Sequence, residues 1–250
     1  MEPDRSDHVA TLTWDQVAAR LEAGAAAILP IGAGAKQHGL HLPMNTDQIQ
    51  AEWLSQQIAR EIDALVWPCV AYGHYPAFVN YAGSISLTAA TFKAMLGEIV
   101  AGIAGFGPAA ILVVDTGIST LRPVAETLRA NSHDGRAVHL KVHDGPRYAK
   151  VHAEVCEQAE GSHADEAETV RMLALAPALV AMERAQASPR ARGDAQGPLT
   201  PFDPAAANYA PSGSWGDPTL ATREKGEALL DAMAADVIDM ARQAVAPKRN

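Results

Sequence analysis

Cysteine is scarce in this 250-residue chain: Cys69 and Cys156 are the only two. They form no C-x-x-C pair or other metal or redox spacing. That excludes a zinc ribbon, a thioredoxin-like motif and a disulfide framework, and a reduced cytoplasmic compartment is expected. Long apolar runs are missing too, so no membrane span is expected. The start, MEPDRSDHVATLTW, lacks the basic residues and apolar core of a signal peptide. Positive charge is in deficit, with 20 Lys and Arg against 29 Asp and Glu and a net charge of −9. Nucleic acid and anionic membrane are therefore poor partners. There is no internal repeat, no G-x-S-x-G elbow, no P-loop lysine and no complete dinucleotide fingerprint.

What is present is apolar: 48% of residues, enough to bury a sizeable core. Thr13 and Gln16 read as a capping box before a helix ending near Gly24. Apolar strands are expected at 26–33, 64–70, 109–117 and 136–144. A helix is expected from about Asp47, with Ile49, Trp53, Leu54 and Ile58 on one face. Others are expected from Thr88 to 103, over 162–177, and from Asp217-Pro218 to 244. Residues 187–213 are rich in Pro, Gly and Ala and read as a long surface loop, a candidate subunit contact. The fold class expected is α/β, a single domain over 1–250 with a mainly parallel sheet and helices on both faces. Ligands bind beyond the carboxyl ends of such strands. The loops opening at 33, 71, 115 and 143 would meet there.

Those loops carry the chemistry. GAKQHGLHLPMNTD (34–47) holds Lys36, His38, His41 and Asp47. Imidazole and carboxylate suit zinc, manganese or iron. The plainer alternative is a loop whose polar groups hold one another. His163, Asp165, Glu166 and Glu168 cluster at a helix start, where acids also serve the helix dipole. Tyr72, His74, Tyr75 and Phe78 can line a pocket or merely pack a long loop. Asp115, Thr116, Ser119 and Thr120 follow a strand end and can bind a ligand or cap the next helix. His139 and His143, two strand steps apart, read as core or surface imidazoles.

Four stretches resemble the creatininase (creatinine amidohydrolase) family: LPIGAGAKQHGLHLPMNTD (29–47), YGHYPAFVNYAGSISL (72–87), ILVVDTGIST (111–120) and GSHADEAETVRMLALAPALV (161–180). The tail SWGDPTLATREKGEALL (214–230) fits as well. The resemblance spans nearly the whole chain. It implies a parallel α/β domain, assembly as a homo-oligomer (hexamer or dimer), and metal-dependent hydrolysis of cyclic amides or related C–N bonds. In the family, two divalent ions share a bridging aspartate and activate water.

By position, His38 matches a metal ligand and Asp47 the bridging carboxylate. Lys36 stands where the family has a metal-binding glutamate, and Gly117 where it has a ligating histidine. The resemblance therefore implies one divalent metal, with the second excluded by Lys36 and Gly117. His74, His163 or Glu168 would complete the remaining site. Lys36, His163 and Glu168 are the expected catalytic groups. His41, His74, Tyr75, Asp115, Thr116 and Ser119 are the expected substrate-facing ones. Two alternatives stay open. One is a metal-independent lyase, isomerase or condensing enzyme that uses Lys36 as acid, base or Schiff-base amine. The other is a non-catalytic relative that binds a small molecule.

Overall fold

Strand β1 (Ala26–Ile31) is buried along its whole length, which follows from its AAILPI sequence. It pairs in parallel with β2 (Ala64–Val66) on one side and β3 (Ile111–Asp115) on the other. β4 (Ala137–Lys141) adds to β3, giving the order β2-β1-β3-β4. These assignments come from a computed structural model that describes residues 7–131, 136–188 and 197–246.

Alternation along the strands builds two cores. Ala26, Ile28, Leu112 and Val114 face one way, toward helices α2 (Thr46–Ala59), α5 (Pro146–Val155), α6 (Glu166–Leu175) and α7 (Arg223–Val245). Ala27, Leu29, Ile111 and Val113 face the other way, toward α3 (Ala89–Gly105) and α4 (Leu121–Ala130). The sheet is thus covered on both faces, as continuous apolar strands require. α1 (Trp14–Glu22) starts at the expected capping box. Leu54 and Ile58 of α2 are fully buried against the first core, each contributing about 1.5–3 kcal/mol. No helix among the described residues is long and apolar enough to cross a membrane.

Several boundaries differ from those read in the sequence. β2 ends at Val66 rather than 70: Trp67 N–H still reaches the Ile28 carbonyl, but Pro30 of β1 has no N–H to continue the ladder. Val70 rejoins only as a single bridge to Ile31. Ile49 leaves the face of Leu54 and Ile58 and packs on Leu42 and Met172. β4 ends at Lys141, so His143 lies in the turn beyond it and does not share the strand with His139. Pro218 starts a short 3-10 turn. α7 begins only at Arg223, where the Thr222 hydroxyl accepts the Lys225 N–H. Residues 189–196 of the expected 187–213 loop lie outside the described residues. The part from 197 packs on the loop after β2: Leu199 N–H donates to the Ala77 carbonyl and the Tyr81 hydroxyl to that of Ala210.

The connection from β1 runs to one side of the sheet and that from β3 to the other. Their carboxyl ends flank the switch point, where the open crevice of such a sheet forms.

Candidate active site

The loop between β1 and α2 folds back on itself. Lys36 N–H donates to the Met44 carbonyl, and His38 bridges to Leu42. Lys36 and His38 are two apart in this extended segment, so their side chains emerge on one side. They meet Asp47 in the first turn of α2, where the helix dipole favours a carboxylate. Gly32 makes that approach possible: a Cβ there would lie 2.5 Å from the Asp47 carbonyl oxygen.

Asp47 divides its two oxygens. Oδ2 lies 2.7 Å from the Lys36 ammonium, an ion pair at an angle short of an aligned hydrogen bond. Oδ1 lies 3.1 Å from His38 Nε2. Burial alone would raise the Asp47 carboxyl, but Lys36 and His38 outweigh it and hold it well below the usual carboxylate range. Lys36 is itself 6% exposed. Its Nζ stands 5.5 Å from the Tyr75 ring centre and 5.3 Å from that of Phe78, within cation–π reach.

His163 and Glu168 come from the start of α6. The Asp165 carboxylate caps that helix by accepting the Glu168 N–H, and Glu168 reaches back to accept the Ala164 N–H. This tight turn holds Ala164 at φ +47, a left-handed conformation costing an L-residue roughly 1–2 kcal/mol. The backbone of His163 is pinned to Trp215 in both directions. Its ring stacks on Phe78 at 4.2 Å.

The tautomers follow from the partners. His163 Nε2 donates to the Gln37 carbonyl at 2.9 Å, which leaves Nδ1 with a lone pair 3.8 Å from Glu168 Oε2. Burial, then Lys36 and His38, push the His163 imidazole well below its ordinary value, so it stays neutral. His38 Nδ1 donates to the Lys36 carbonyl at 2.8 Å. Burial raises the Glu168 carboxyl against the pull of His38 and Lys36. His38, His163 and Glu168 each offer one ligand atom, and the three atoms lie within 4.8 Å of one another. Both histidines donate their other ring N–H to a backbone carbonyl, the outer-shell support typical of metal-ligating histidine.

The other expected residues lie around this cluster. His41 Nε2 donates to the Thr169 hydroxyl, which itself donates to the Asp165 carbonyl. His41 therefore braces the α6 turn, and burial takes its imidazole down to about 4. Tyr75 faces Lys36, with its buried hydroxyl unpartnered. His74 Nδ1 holds the Leu87 carbonyl at the far end of its own loop. Asp115 accepts from Gly117 N–H, the Thr120 hydroxyl and His139 Nε2. Thr116 donates to the Ile31 and Asp47 carbonyls and fastens β1 to α2. Ser119 is half-buried in the turn before α4. Asp115 and Thr116 thus use these oxygens on the chain itself and form the floor of the site.

Three contributors carried no local signal. Gln37 serves through its backbone carbonyl. Arg171 and Gln50, one turn beyond Glu168 and Asp47, meet at 2.6 Å beneath the site. A separate cavity lined by Asp7, His8, Gln56 and Arg60 lies at the other end of α2 and holds none of these groups.

The family model for creatinine amidohydrolase matches residues 10–241. The chain belongs to the creatininase family. It is 29% identical over 261 residues to creatinine amidohydrolase of Pseudomonas putida, covering 97% of this chain and 99% of that one. It is 27% identical to the mycofactocin precursor peptide peptidase of Mycobacterium ulcerans (strain Agy99), covering 84% and 82%. A solved mutant creatininase described as Zn-Zn type superposes with a TM-score of 0.78 at 27% identity, over 96% of this chain and 98% of that one. Creatininase-family proteins are hydrolases, and solved members carry metal.

The Lys36 ammonium occupies one oxygen of Asp47. At Gly117 there is no ligand, and a Cβ would lie 2.5 Å from Thr120 Oγ1, which is fixed on Asp115. A single ion does fit the donor chemistry of His38, His163 and Glu168.

Proposed function

We propose that this creatininase-family hydrolase opens a C–N bond of a small polar molecule, such as a cyclic amide, using one divalent cation held by His38, His163 and Glu168. The observation that carries this reading is the meeting of two histidine nitrogens and one carboxylate within 4.8 Å, each ring fixed from behind by a backbone carbonyl. Zinc, manganese or iron suits such a donor set. When bound, the cation supplies Lewis-acid activation of a carbonyl and of water.

The chain's own residues do the rest. Lys36 offers N–H donors to a carbonyl oxygen. Glu168, whose carboxyl burial raises above its ordinary value, is the group suited to exchange a proton there. Tyr75 and Phe78 exclude water from above. His41 and His74 hold the surrounding loops, and Ser119 is the half-buried hydroxyl after β3, Thr116 and Thr120 being buried. Exposed Tyr72, Val79 and Ile85 on the β2–α3 loop support self-association. The buried ammonium favours a second reading, in which Lys36 acts without metal.

Elemental analysis of protein purified without chelator tests the first reading, beside turnover of cyclic amides and short linear peptides. One ion per chain, lost in His163→Ala and Glu168→Ala together with cyclic-amide hydrolysis, is the expected result. Turnover that survives complete metal removal would shift the assignment to Lys36. Turnover of peptides alone would replace the substrate class.

A further inference from the structure

We infer that Lys36 is a built-in second cation: its ammonium, anchored on Asp47, takes the place of one metal ion and limits the centre to a single exchangeable one. This rests on the reading above for the ion at His38, His163 and Glu168.

The geometry is that of a carboxylate spanning two cationic positions. Asp47 Oδ2 meets Nζ of Lys36 at 2.7 Å, while Oδ1 faces His38 Nε2 at 3.1 Å. Lys36 is held there rather than free to swing. Its side chain is 7% exposed, its backbone N–H is tied to Met44, and two aromatic faces lie within 5.5 Å of Nζ. Charge supports the same assignment: Lys36 pairs with Asp47, and Glu168 remains as the carboxylate to face an incoming dication. A second dication would have to displace an ammonium from its own carboxylate, against like-charge repulsion in a poorly solvated site. The turn after β3 supplies no replacement ligand, since Thr120 fills the space beside Gly117. An ammonium carries three N–H donors. The ion pair with Asp47 leaves N–H donors for a substrate oxygen.

Zinc titration into chelator-treated, folded protein, followed by elemental analysis after desalting, tests the inference. Wild type, Lys36→Glu, Lys36→Gln and His163→Ala are compared. Wild type is expected to retain one ion and Lys36→Glu two. Lys36→Gln is expected to take a second ion at least tenfold more weakly than the first. It decides the case if Lys36→Glu does not fold. His163→Ala is expected to retain none. Two ions in wild type would overturn the inference and leave the single-site ligands standing. No ion in wild type, with one gained in Lys36→Glu, would sink the single-metal reading but support Lys36 as the group that keeps metal out. An unchanged count in both folded Lys36 variants would overturn the inference.

Discussion

Lys36 and Asp47 form an ion pair at 2.7 Å with both side chains almost sealed from water, 7% and 2% exposed. Removing one partner of such a pair strands the other charge. Asp47→Asn is expected to destabilise the chain by about 3–5 kcal/mol. The double variant Lys36→Met with Asp47→Asn is expected to recover most of that loss. Urea unfolding of wild type, Asp47→Asn, Lys36→Met and the double variant measures the coupling. Additive losses would show that the pair is not energetically linked.

Two buried histidines outside the proposed ligand set make stability depend on pH. Burial, first of all, brings His41 and His143 down to about 4. Unfolded histidine titrates near 6.5. Between these values the unfolded chain binds more protons, so stability is lost as pH falls from about 6.5 toward 4. Unfolding free energy is expected to be lower at pH 5 than at pH 7 by about 2 kcal/mol or more. His143→Gln should flatten that slope. A pH-independent midpoint in the same range would contradict it.

Asp47 titrates in the opposite corner. Its folded carboxyl is held below its unfolded value, so its stabilisation is complete above about pH 4 and is lost as pH falls further. Acid unfolding of wild type is expected to steepen below pH 4, and Asp47→Asn should lack that component. Parallel acid-unfolding curves for the two proteins would show no such contribution.

Gly32→Ala tests the contact beneath the site. The new methyl would fall 2.5–2.8 Å from the backbone of Asp47 and Gln48, so the start of α2 must move. A loss of about 1–3 kcal/mol is expected from overpacking, together with weaker retention of the bound ion. A variant crystal structure with Asp47 unmoved would refute the positioning role.

Much of this architecture is legible locally. The runs AAILPI and ILVVD can be satisfied only as buried strands, and the Thr13–Gln16 capping box and Thr88 mark helix starts by their own hydrogen bonds. The candidate groups Lys36, His38 and Asp47 stand within twelve positions of one another, so their meeting needs one loop and one helix turn. Two helices, α4 and α5, carry no such local signal. α4 starts without a side-chain cap and carries Pro123 in its first turn, and α5 opens with Pro146 at its first position.

The sequence by itself determined the strand faces, the helix starts and the presence of an ammonium where a carboxylate would serve a metal better, because short-range sterics, caps and residue chemistry carry that information. Only the tertiary structure decided which groups share the site. His163 and Glu168 reach His38 across more than a hundred residues, and Asp115 and Thr116 turn their oxygens to the chain's own backbone. Such choices depend on how α2 and α6 pack over the sheet edge. Packing is a property of the whole core, and no single segment encodes it.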